Sequence, residues 1–291
     1  MALMFEGFES KHIATSGTEI NVKVRGDGPP LLLLHGYPQT HVIWHKIAPR
    51  LSEKFTVVVT DLRGYGDSGK PASDAEHSPY SKRAMAADQV EVMSALGYER
   101  FSVVGHDRGG RVAHRMVRDY PDRVEKIAVL DIAPTATMYG ATDKKFATAY
   151  YHWFFLIQPN GLPEHMIGCD PEFYLSRKMA AWGKANGAIT GEAFAEYLRC
   201  FSDPATIHAT CEDYRAAAGI DLEHDATNAG ERIPNPLLAL WGQDGFVAKA
   251  YDVLETWRDV ASNVSGHAVP GGHFLPEEAP DETLRALLEF L

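Results

Sequence analysis

Apolar positions along the chain fall into two alternating kinds of segment. Leu31–Leu34, Thr56–Thr60 (TVVVT), Phe101–Val104 (FSVV), Ile127–Leu130 (IAVL), Leu237–Trp241 (LLALW) and His267–Val269 are short runs of strand length with little polar interruption. A run with no polar side reads as a strand covered on both faces. Two extended segments, Phe5–Ile13 and Glu19–Val24, flank Ser16-Gly17 and predict an antiparallel hairpin. Helical spacing fills the intervals. Ser81–Leu96 carries Met85, Val90, Val92, Met93 and Leu96, with Gly97 placed to stop the helix. Val112–Tyr120 predicts a second helix, stopped by Pro121. Strands alternating with helices predict an α/β fold, a mostly parallel sheet flanked by helices.

The alternation breaks after Asp131. Phe146–Leu156, Glu172–Trp182, Glu192–Phe201 and Pro204–Ala218 have amphipathic helical spacing, and no strand-length apolar run lies among them. The expected organisation is a core of residues 1–135 and 233–291 with a helical cap, 136–232, inserted between two strands of one sheet. Such an insertion falls at the carboxyl ends of the strands, where open α/β sheets bind ligands.

Composition narrows the partners. The chain has 291 residues, 45% hydrophobic and 23% charged, as in ordinary globular proteins. Its formal net charge of −11 disfavours nucleic acid and anionic membranes as partners. A small anionic substrate would meet long-range repulsion and would need a local cationic clamp. Met1–Ser10 contains Glu6 and Glu9 and no apolar run, which predicts neither signal peptide nor membrane span. Cys169, Cys200 and Cys211 are odd in number and lack CxxC spacing. Reduced thiols and a cytoplasmic location are therefore expected.

The chemistry concentrates in Gly105-His106-Asp107-Arg108-Gly109, which follows a strand and precedes a helix. This is the G-x-S-x-G turn with Asp in the serine position. Read blandly, it is a strand–turn–helix with an N-capping Asp. Two further segments favour the chemical reading. His35-Gly36-Tyr37-Pro38 follows the strand Leu31–Leu34, where the Tyr37 and Arg108 amides would together make an oxyanion hole. His273 lies in a glycine turn just after the last strand, placed to act as a base, and either Asp131 or Asp244 would orient it, since both end strands. A serine attacking saturated carbon yields an ether that water does not readily cleave. A carboxylate yields an ester, which a histidine-activated water can hydrolyse. Asp107 thus points to displacement at a carbon–halogen bond or an epoxide, and away from esterase or peptidase chemistry. Arg108 and Arg111, three residues apart on one helix, suit bidentate recognition of a carboxylate unless structural acids pair with them.

At these residues the chain resembles the fluoroacetate (haloacetate) dehalogenases of the α/β-hydrolase superfamily. The resemblance is carried by HGYPQTHVIW (His35–Trp44), DLRGYGDS (Asp61–Ser68), GHDRGGRVAHR (Gly105–Arg115), LDIAPT (Leu130–Thr135), YHWFF (Tyr151–Phe155) and GGHFLPEEAPD (Gly271–Asp281). It implies an α/β-hydrolase fold with Asp107 as nucleophile, His273 as base and Asp131 as acid. It further implies Arg108 and Arg111 on the substrate carboxylate, and His152, Trp153 and Tyr214 as hydrogen-bond donors to the departing halide. The expected substrate is a small haloacid, with no cofactor and no metal, and a homodimer is implied. The nearest rival is an epoxide hydrolase using the same Asp107 with Tyr150 or Tyr151 and Tyr214. Against it, a carboxylate clamp has no use on a neutral epoxide. A rival of another class is a non-catalytic small-ligand receptor on the same fold, which intact Asp107 and His273 disfavour.

Overall fold

The computed structural model describes residues 4–291, so Met1–Leu3 of the expected core lie outside the described residues. Among the described residues, eight strands form one sheet: β1 (Glu9–Ala14), β2 (Glu19–Arg25), β3 (Pro30–Leu34), β4 (Thr56–Thr60), β5 (Phe101–His106), β6 (Val124–Leu130), β7 (Leu237–Gly242) and β8 (Val264–Val269). Their order is β1-β2-β4-β3-β5-β6-β7-β8. The β1–β2 hairpin and the β2–β4 pair are antiparallel, and every pairing from β4 to β8 is parallel.

The apolar runs are explained by cover on both faces. In β3, Leu32 and Leu34 join one hydrophobic cluster while Leu31 and Leu33 join another on the opposite face. Helices α1 (Ala48–Leu51), α2 (Lys82–Ala95) and α3 (Arg108–Asp119) follow β3, β4 and β5. Ser81 caps α2 by accepting from the Ala84 amide, and Gly97 takes φ +87° beyond its end. The expected run of buried strands fails at its last member. β8 is the sheet edge and is mostly exposed, with only Val269 fully buried.

Between β6 and β7 the described chain is helical: α4 (Thr135–Gly140), α5 (Lys144–Ala149), α6 (Tyr151–Phe155), α7 (Leu162–Cys169), α8 (Pro171–Trp182), α9 (Gly191–Phe201), α10 (Pro204–Ala218) and α11 (Ile220–Thr227). The single helix expected over Phe146–Leu156 is two. Tyr150 leaves helical geometry (φ −109°, ψ 32°) because its ring packs on Phe246, with centroids 4.7 Å apart. Phe246 begins α12 (Phe246–Ala250), which is followed by α13 (Val253–Arg258), α14 (Leu275–Glu278) and α15 (Pro280–Phe290). The three cysteines are unpaired, Cys200 and Cys211 buried and Cys169 exposed. Among the described residues no helix is long and apolar enough to cross a membrane.

Candidate active site

β5 hands the chain to α3 through one residue, Asp107, at φ 47° and ψ −113°. This conformation costs a non-glycine residue about 1–3 kcal/mol and persists only where the surroundings over-determine it. Here they do. A Cβ on Gly105 would lie 2.4 Å from the Gly109 carbonyl oxygen, and one on Gly109 would lie 2.5 Å from that of Leu34. Only glycine lets β5, α3 and β3 approach so closely. α3 therefore begins at Arg108, four residues before the expected Val112.

The Tyr37 amide donates to Asp107 Oδ1 at 3.0 Å. The other oxygen, Oδ2, lies 3.8 Å from His273 Nε2, beyond a direct hydrogen bond. His273 Nδ1 is 2.6 Å from Asp131 Oδ2, and the Gly242 amide donates to Asp131 Oδ1 at 3.0 Å. Asp131, not Asp244, meets the imidazole; Asp244 lies on the wall of the neighbouring cavity. Asp131 is also at positive φ, 52°. Burial pushes the Asp107 carboxyl upward, but the charges of His273, Arg111 and Arg108 outweigh it and hold it below the usual carboxylate range. Burial also disfavours charge on His273. The hydrogen bond and charge of Asp131 reverse this and raise its pKa above the ordinary histidine value.

The two arginines are held differently. Arg108 makes a two-pronged pair with buried Asp213 of α10, Nε to Oδ2 at 2.9 Å and Nη2 to Oδ1 at 2.5 Å. Asp213 also takes the Tyr65 hydroxyl and the Lys82 ammonium. The structural-acid alternative thus holds for two of the three guanidinium nitrogens of Arg108. Its Nη1 is buried and unpartnered. Among the described residues Arg111 has only neutral partners: Nη1 reaches the Ala133 carbonyl and the Thr135 hydroxyl, Nη2 reaches Met138 Sδ, and Nε is buried and unpartnered. Two cations beside Asp107 thus retain unused N–H groups.

His152, Trp153 and Tyr214 come together. The Tyr214 ring lies 5.5 Å from His152 and 6.3 Å from Trp153. The Arg108 guanidinium stacks over Tyr214 at 4.2 Å and that of Arg111 over Trp153 at 4.8 Å. Burial drives the His152 pKa well below 6.5, with Lys178 adding to it, so its ring is neutral and carries one N–H. Its Nδ1 is buried without a partner. Tyr150 is buried beside this group, whereas Tyr151 is half exposed. A cavity of about 400 Å³ opens beside it, lined by Asp131, His273, Tyr150, Lys178 and Trp182 among others.

Sequence reasoning missed Asp213, Lys178, Trp182 and His106. His106, whose Nε2 is 2.8 Å from the His273 carbonyl oxygen, is pushed down by burial to about 3 and stays neutral. Only its place in the elbow motif signalled it. Among the described residues, ligand-type side chains cluster as Glu164, His208 and Glu212. Arg215 Nη1 already lies 2.7 Å from an oxygen of each carboxylate, standing where a cation would.

The profile of the alpha/beta hydrolase fold family matches residues 29–280. The chain is 46% identical to the fluoroacetate dehalogenase of Burkholderia sp, over 99% of this chain and 95% of that protein. It is 36% identical to the soluble epoxide hydrolase of Corynebacterium sp. (strain C12), over 94% of each. A crystal structure from Nostoc sp PCC 7120, provisionally described as an alpha/beta hydrolase, superposes with a TM-score of 0.98 at 62% identity, covering 98% of each chain.

Proposed function

The chain belongs to the α/β-hydrolase fold family, and from that premise we propose that it is a hydrolytic dehalogenase of short 2-haloacids, turning haloacetate, fluoroacetate included, into glycolate and halide. One observation carries the reading: a carboxylate nucleophile in the elbow, with two arginines beside it that keep unpartnered N–H groups. The likeness to the Burkholderia fluoroacetate dehalogenase supports it.

In this mechanism Arg108 Nη1 and Arg111 Nε hold the substrate carboxylate. Asp107 Oδ1 is engaged by the Tyr37 amide, so Oδ2 attacks the halogen-bearing carbon. The C–X bond breaks as the ester bond forms, and the halide leaves toward His152, Trp153 and Tyr214. No base is needed in this step, because the carboxylate is already ionised; a 3.8 Å gap to His273 is compatible with that. His273 then takes a proton from water, and the hydroxide attacks the ester carbonyl. The amides of Tyr37 and Arg108 stabilise the oxyanion. Glycolate departs as its alkoxide takes the proton back from His273. Asp107 retains one oxygen from water, and the sum is haloacetate plus water to glycolate, halide and a proton. Residues 136–232 act as the cap that closes this pocket.

The test is release of fluoride and glycolate from fluoroacetate by the purified protein, with chloroacetate and a terminal epoxide in parallel. A second reading, epoxide hydrolysis, is favoured by Tyr150 and Tyr214, both buried and both within electrostatic reach of Asp107. Diol formation from the epoxide without turnover of either haloacetate would select it.

A further inference from the structure

Four lysines illustrate how this fold treats a buried or half-buried ammonium. Lys82 meets the carboxylates of Asp213 and Asp221. Lys46 donates to the carbonyls of Ala188 and Glu277, and Lys126 to those of Phe290 and Leu291. Lys178 is as buried as Lys82, at 3% exposed, yet among the described residues its ammonium has aromatic rings rather than oxygens as neighbours. Its Nζ lies 3.5 Å from the centre of Tyr151, 5.3 Å from Trp182 and 5.5 Å from Tyr174. Aromatic faces attract a cation but satisfy none of its three N–H donors as an oxygen or an anion would.

Lys178 also faces a space. It lines the same cavity as His273 and Asp131. Trp182, which it touches, lies 4.7 Å from the His152 ring and 5.5 Å from that of His273, centroid to centroid. One ring thus separates this ammonium from the candidate base on one side and a candidate halide donor on the other. Lys178 Nζ borders that cavity but has no carboxylate or carbonyl partner among the described residues. A largely buried ammonium without a counter-charge is costly, and the cost is relieved by losing the proton or by gaining an anion.

We propose that Lys178 is the core of a binding site for small monovalent anions at the mouth of the active-site cavity, a stop for carboxylate or halide on the way between solvent and Asp107. Naming the carboxylate as a haloacid rests on the function proposed above; the anion site itself does not. Arg177, Lys184 and Lys249 share the cavity wall, with Asp244 as an acid among them, so the mouth is cationic on a chain of net charge −11. The groups facing Lys178 are Tyr151 and His152 of α6, Tyr174 and Trp182 of its own helix, and Asp131, Asp244, Lys249 and His273 across the cavity. Burial pushes its amine down to about 7. A bound anion favours the charged form and moves that value back up.

Competitive labelling reads this site directly. Trace acetic anhydride is applied to the whole protein across neutral pH, with and without bromide, and lysine peptides are quantified by mass spectrometry. Lys178 should label as a low-pKa amine, and bromide should protect it severalfold and raise its apparent pKa by about one unit. Labelling indifferent to bromide would overturn the site, as would failure to label, since an anion of acetate size would be equally excluded. Kinetics supply the second arm. Lys178→Met should raise the KM for chloroacetate about tenfold with kcat little changed, Lys178→Arg should retain the parent KM, and neutral chloroacetamide should be unaffected by either. Unchanged KM in Lys178→Met overturns the stop on the path. Bromide protection without turnover of any haloacid leaves the anion site standing and removes only the dehalogenase reading.

Discussion

Two regions meet around Asp107, and they hold their side chains by different means. At the strand ends, geometry is written into the backbone. Asp107 and Asp131 both sit at positive φ, one oxygen of each is engaged by an amide, and glycines pack the elbow so closely that no side chain fits. On the inserted helices, His152, Trp153 and Tyr214 are held by packing of rings on rings and on guanidiniums. The difference suggests a division of labour. In the proposed mechanism, the backbone-fixed groups make and break bonds, and the packed side chains choose which substrate and which leaving group are served.

The division breaks most visibly if a strand-end substitution spares the chemistry. Asp107→Asn should lower kcat for every haloacid by roughly 10⁴-fold or more, the scale on which losing a nucleophile acts. Steady-state turnover of chloroacetate checks this; a loss confined to one halogen would assign Asp107 to selection instead. Asp131→Asn comes next, about 10³–10⁴-fold, by analogy with the orienting acid of a serine triad. It carries a pH signature as well. In the proposed mechanism His273 works as a neutral base, and Asp131 raises its pKa. The parent's kcat should therefore fall as pH drops through a value above 6.5, and removing the Asp131 charge should move that limb to lower pH. A limb that does not move would detach Asp131 from the base, and a larger loss in Asp244→Asn would transfer the role there.

The arginines sharpen the comparison, because each lies on α3 but touches the inserted helices. Arg111→Leu should cost about 2–5 kcal/mol in kcat/KM for chloroacetate, as when a partner of a buried charge is lost. Chloroacetamide, which has no charge to clamp, should be a poor substrate of the parent and little changed by the substitution. Equal parent rates on acid and amide would dismiss the clamp. Arg108→Leu is the less clean variant, since it leaves buried Asp213 with Lys82 as its remaining charged partner and should also lower thermal stability. The smallest expected effect tests selection itself. Trp153→Phe or Tyr214→Phe should reduce fluoroacetate kcat/KM more than chloroacetate, by at most about 2.7–4 kcal/mol for one donor. Fluoride, small and strongly hydrated, depends on such donors more than chloride does. A constant or rising fluoride-to-chloride ratio would make these residues packing only.

Legibility in the sequence follows the same line. β3 to β7 were readable because strands covered on both faces are unbroken apolar runs, and the elbow was readable because its glycines have fixed spacing. β8 misled because an edge strand needs no second apolar face. The break at Tyr150 was hidden, since it answers to Phe246, nearly a hundred positions away. The Arg108–Asp213 pair was equally hidden: nothing local to Asp213 distinguishes it from a solvated helix acid. Lys178 lacks a sequence signal for the same reason, because its cage combines Tyr151 of α6 with Tyr174 and Trp182 of its own helix. His152, Trp153 and Tyr214 were named through resemblance, not spacing.

The proposed mechanism turns on a covalent ester at Asp107, and trapping it is the direct measurement. His273→Asn keeps the nucleophile but removes the base that activates water. After exposure to chloroacetate, intact mass followed by peptide mapping should find one carboxymethyl group, esterified to Asp107, with chloride released in equal amount. Chloride released with Asp107 unmodified, or the adduct found on another residue, would contradict the carboxylate mechanism.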